Sequence, residues 1–220
     1  MEMTGIWGGF YRISLWVMRL AYINILWILF TVIGFIICGY MPATVALFTV
    51  IRKWIHKETD IPIFKTFLGS FKKEFKIANL FGIILLITGA ILYVDLQYVG
   101  TVNDSPLYPI LLGGLFLAGV IYFILVLYII PVYVHYNLSF WQYIKYAILI
   151  GLTNLHYSIT MVLILYGLYI LMMHIPGLFP FFSISTAAFI VMLSANLSFG
   201  DLQRKQNKIN NKDKLGTESD

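Results

Sequence analysis

Five stretches of this chain are long and apolar enough to cross a lipid bilayer, and none contains Lys, Arg, Asp or Glu: residues 21–39, 77–94, 107–130, 157–173 and 178–197. A hydrocarbon core of ~30 Å needs ~20 helical residues at ~1.5 Å each. A charge at the bilayer centre costs at least ~2.5 kcal/mol on insertion scales, so five uncharged runs in 220 residues constrain the fold severely. They predict an all-α, polytopic membrane helix bundle with five transmembrane helices. Composition agrees, since 60% of residues are hydrophobic and 11% are charged, against roughly 25% charged in a soluble domain. A soluble fold cannot hide that much apolar surface. A soluble enzyme, a disordered regulator and a nucleic-acid-binding domain are therefore excluded.

Spacing of charge predicts the topology. The first run, at 19 residues, exceeds the 7–15 of a secretory signal and reads as a retained span. Residues 1–20 read as an amphipathic N-terminal segment and 21–200 as one membrane domain. Residues 201–220 read as a polar, disordered cytoplasmic tail without apolar residues enough for a core. Segment 40–76 holds Arg52, Lys53, Lys57, Lys65, Lys72, Lys73 and Lys76, and the tail holds Arg204, Lys205, Lys208, Lys212 and Lys214. With Lys145, five spans place these on one side and leave only Arg12 and Arg19 on the other. The positive-inside rule makes the basic side cytoplasmic, with the C-terminus inside and the N-terminus outside. Arg12 and Arg19 then have to snorkel to the headgroups. The single cysteine, Cys38, allows no intrachain disulfide and reads as a small apolar helix residue.

The 40–76 loop has its own periodicity. Leu47, Val50, Ile51 and Trp54 share one helical face, opposite Arg52, Lys53 and His56. A turn at KETDIP follows, and then Phe64, Phe67, Leu68, Phe71 and Phe75 form a second apolar stripe flanked by lysines. Two amphipathic helices with basic edges suit the surface of a bilayer with anionic headgroups. A sharper reading makes Trp54, Phe64, Phe67, Phe71 and Phe75, with Lys72 and Lys73, a docking face for a partner subunit. A faint internal echo aligns Phe64 and Phe67 with Trp141 and Ile144, as in a parallel repeat.

Motifs for chemistry are absent from the sequence. There is no phosphate-binding G-x-x-x-x-G-K-[ST], no H-E-x-x-H, no cysteine pair and no G-x-S-x-G. No catalytic residue, cofactor or metal ligand is expected. The intramembrane candidates are neutral or weakly basic: Asn24, Asn154 and His156. Such residues serve either as hydrogen-bonding glue between helices or as a polar path for a solute or proton.

Several local features carry a family resemblance: Asn24 with Leu26 and Trp27, then Pro42-Ala43-Thr44, then Arg52-Lys53-Trp54, then Phe67 to Phe71-Lys72-Lys73. Together they resemble the YesL-like family of Gram-positive bacterial membrane proteins, over residues 10–201. The resemblance implies a small multi-pass plasma-membrane protein with no established activity, encoded beside carbohydrate-uptake and polysaccharide-degradation systems. It supplies no catalytic residues. Three functions stay open: a non-enzymatic accessory or assembly factor for carbohydrate uptake, touching transporter subunits; a small-solute transporter or channel; and an intramembrane enzyme.

Overall fold

The computed structural model describes residues 6–102 and 104–217, with side chains over 9–102, 104–202 and 204. The described residues form helices and no strand. In chain order they are α1 (Ile6–Ile33), α2 (Ile37–Ile55), α3 (Ile63–Thr101), α4 (Tyr108–His135), α5 (Phe140–Thr153), α6 (Leu155–His174) and α7 (Phe179–Thr217). A 3₁₀ turn at Pro176–Leu178 precedes α7. Five helical stretches have the length and composition to span a membrane: Gly9–Ile33, Ile63–Thr101, Tyr108–His135, Leu155–His174 and Pro176–Leu202. The predicted all-α class therefore stands, with five helices long and apolar enough to cross a bilayer.

The first span does not lie where the apolar run alone places it. Helix α1 starts by residue 6 and ends at Ile33, because Phe35 and Ile36 take positive φ and turn the chain. Residues 21–39 are thus the last turns of α1, a reversal, and the start of α2. Residues 6–20 of the expected N-terminal segment are the front half of α1. At the reversal Gly34 and Gly39 meet backbone to backbone, and a Cβ on either would overlap the other's Cα. Only glycine permits that approach.

The chain divides into two compact units, Met1–Ile84 with Leu163–Ile190, and Leu85–Val162 with Val191–Asp220. In the first unit α2 runs back along α1. Trp27 Nε1 donates to Thr44 Oγ1 at 3.0 Å, and Trp16 meets Trp54 edge to face at 5.6 Å. This buries Ala43, Val45, Ala46, Leu47, Val50 and Ile51. After the turn at 56–62, α3 opens with Thr66 N–H donating to Pro62 O, and Phe67 and Phe71 pack on Phe30 at 5.3 and 5.0 Å. The amphipathic 40–76 region is thus helical, with part of each stripe packed on α1. Its first stripe is the interior of α2, and its second is the opening of a 39-residue helix about 58 Å long. Trp54, Phe67 and Phe71 are buried within the chain, while Phe64 stays exposed.

In the second unit α5 runs back along α4, with Tyr133 and Tyr143 at 4.9 Å. A capping box of Ser139 and Gln142 starts α5. A Cβ at Gly151 would strike Ile124 and Tyr128. Helix α5 ends at Thr153, and Asn154 caps it before α6 begins at Leu155. The echo register is corrected here. Residues 141 and 144 belong to this short helix, whereas 64 and 67 open a long one. The tail departs from expectation as well, since the backbone of α7 continues to Thr217. No Pro or Gly interrupts 201–215, and extending an existing helix avoids the nucleation cost.

Replacing Gly39 by Val should destabilise the fold by about 1–3 kcal/mol, the usual cost of overpacking. Gly69, where a Cβ would enter open space, should accept Ala without loss. Thermal melts of both variants in detergent test the difference.

Candidate functional site

Each candidate residue has a definite place. Asn24, mid-way along α1, has 0% exposure. Its Nδ2 donates to Pro180 O at 2.7 Å, and its Oδ1 accepts from Ser185 N–H at 2.9 Å. Both ends of the amide are therefore used to hold α1 against the first turns of α7. This is a structural clamp between residues 156 and 161 positions apart.

The stripe residues are mostly core. Trp54 is 3% exposed, Phe67 0% and Phe71 8%, while Phe64 remains 45% exposed. Phe75 stacks on Phe71 at 5.6 Å. The proposed docking face is corrected accordingly, because Trp54, Phe67 and Phe71 are already covered by α1 residues Trp16 and Phe30. Lys72 and Lys73 stay exposed. Lys73 Nζ lies 3.4 Å from Glu74, a surface pair worth little by itself. Near Trp54, Arg19 lies over the Trp16 ring at 5.7 Å and 4.0 Å from Asp60. Trp54 Nε1 and Arg52 Nε are buried without an acceptor.

The second unit holds the other two candidates. His156 is exposed and stacks on its neighbour Tyr157 at 4.1 Å. Asn154 is fully buried at the α5–α6 break, and its Oδ1 has no donor. Beside the break lies a relay that sequence reading missed. Tyr128 Oη and Ser158 Oγ are 3.0 Å apart, and Ser158 donates to Gly151 O at 3.1 Å. A buried Tyr in an apolar helix was the available signal, since its hydroxyl must find a partner. Past α4, burial pushes the Tyr136 phenol above its ordinary value, helped by Tyr146. Among the described residues no three His, Cys, Asp or Glu side chains gather as a metal site would need.

The described arrangement fixes helices and helix ends by neutral hydrogen bonds. An Asn24→Leu substitution removes both bonds and strands the Ser185 N–H. It should lower stability by about 1–3 kcal/mol, whereas His156→Leu should leave the melting temperature unchanged. Parallel melts of the two variants check this.

Comparison with known proteins bears on the same residues. The family model described as "Protein of unknown function, DUF624" matches residues 20–96, the segment containing Asn24, Trp54 and the Phe stripe. Three Bacillus subtilis proteins, each described as uncharacterised, are similar over most of their length. YteU is 35% identical over 93% of this chain and 95% of its own, and YesL is 30% identical over 91% and 94%. YesV is 36% identical over 83% and 88%. No solved structure matches the chain.

Proposed function

This chain belongs to the DUF624 family of unknown function, and from that premise we propose a non-enzymatic accessory or assembly factor for carbohydrate uptake in a bacterial plasma membrane. The observation that carries the non-enzymatic, non-conducting part is the Asn24 clamp. Asn24, fully buried in the first unit, is held by Pro180 O and Ser185 N–H, which supports a structural role over that of a transport ligand. The carbohydrate setting, with transporter subunits as partners, is what the resemblance to YesL-like proteins implies. Lys72 and Lys73, exposed on the first turns of α3, suit anionic headgroups, which fits a cytoplasmic location for this region and for the C-terminus.

A second reading, a transporter or channel, is favoured by one feature. Asn154 leaves a buried carbonyl oxygen without a donor where two helices break, and broken helices are where transporters seat solutes and ions. Purified protein in liposomes distinguishes the readings. Proton and monosaccharide entry should be no faster than in empty vesicles. Entry above that level, abolished by Asn154→Leu in a variant that still melts cooperatively, would replace the accessory reading with the transporter one.

A further inference from the structure

We infer that α2 is a sixth crossing of the membrane, enclosed by protein, and that the N-terminus therefore shares one side with every basic residue of the chain. The inference is independent of the accessory reading. It starts from the pairing of α1 and α2. The chain reverses within residues 34–36, and α2 retraces α1: Tyr40 meets Trp27 at 5.6 Å, Thr44 bonds Trp27, and Trp54 meets Trp16. Arg19 reaches Asp60, beyond the end of α2. If α1 crosses from the depth of Trp16 to the turn, α2 traverses the same depth in reverse. Its 19 residues extend about 28 Å, close to the ~30 Å of a hydrocarbon core.

Composition explains why such a crossing escapes a search for apolar runs. Helix α2 carries no charge from Ile37 to Ile51, and its only charges, Arg52 and Lys53, sit in the last turn. It does contain Gly39, Tyr40, Pro42, Thr44 and Thr49, which weaken its apolar signal. A helix that faces protein on most sides does not need to match lipid. Gly39 and Met41 to Phe48 are all buried, as are Val50, Ile51 and Trp54.

Charge supplies the independent argument. With α2 counted, α1 begins and α2 ends on the same side. Arg12 and Arg19 then join Arg52, Lys53, Lys57 and the lysines of early α3. Helix α5, at 14 residues and about 21 Å, is too short to cross, so alternation puts Lys145 and the five basic residues of the tail there too. All 15 Lys and Arg fall on that side, and the other keeps only Asp95 and Asp104 as charges. The five-crossing arrangement needed Arg12 and Arg19 as exceptions; this one needs none. By the positive-inside rule the shared side is cytoplasmic, and the N-terminus expected outside moves in.

The chain carries its own probe. Its single thiol, Cys38, is exposed beside the α1–α2 reversal. Six crossings put it on the outer side; five put it on the cytoplasmic side. A short epitope is added before Met1, and protoplasts expressing the full chain are probed intact or permeabilised. The epitope should bind antibody only after permeabilisation, and a membrane-impermeant maleimide should label Cys38 on intact protoplasts. Antibody binding to intact protoplasts overturns the inference, as does Cys38 labelling that requires permeabilisation. If lipid shields the thiol in both states, the epitope decides alone.

Discussion

The close approach of Gly34 and Gly39 is the constraint on which the first unit depends. Two absent side chains let α1 turn back within three residues. That reversal brings Trp27 to Thr44 and Trp16 to Trp54. It makes α2 an interior helix, and Met41 of that helix in turn packs on Gly82 of α3, where a Cβ would be blocked. Backbone proximity of this kind is the main source of helix association in lipid, where the hydrophobic effect gives no preference for one apolar neighbour over another.

Polar side chains then select among the packings that small residues allow. Asn24 clamps the opening of α7, Tyr122 donates to Leu85 O at 3.0 Å, and Ser158 links Tyr128 to Gly151 O. Each such bond between membrane helices is worth about 0.6 kcal/mol on average. Their weight lies in register, since a slip of one residue would leave a buried amide or hydroxyl unpaired, at about 1–3 kcal/mol each. The same reasoning makes Asn154 Oδ1 conspicuous, as an acceptor in the interior with no donor.

Much of the fold was legible as sequence. Charge-free runs point to the class and to the five most apolar helices, and the spacing of Leu47, Val50, Ile51 and Trp54 groups residues of the buried face of α2. The partner of that face was not legible. Periodicity reports that one side of a helix is apolar and is silent on whether lipid, another subunit or the chain itself covers it. Phe67 and Phe71 were read as a surface and are core because Phe30, 37 residues before Phe67, fills the space. The first span was misplaced for a related reason. Gly34 and Gly39 lie inside an unbroken apolar run, and hydropathy does not register a turn whose residues are all apolar. Asn24 was visible as an anomaly, but its role needed the far end of the chain, Pro180 and Ser185.

An interior helix such as α2 also bears on how the protein is made. Sections of chain leave the ribosome one after another, and each enters lipid on its own apolar merit or waits for help. With Pro42, Thr44 and Thr49 along it, α2 is the least self-sufficient of the long helices in that respect. Its natural route is to enter as the second arm of a hairpin, drawn in by α1 across the glycine contact. A lesion at that contact would then act during synthesis, yielding chains with the wrong sides exposed for the cell's proteases to remove, before any folded protein existed to be weakened.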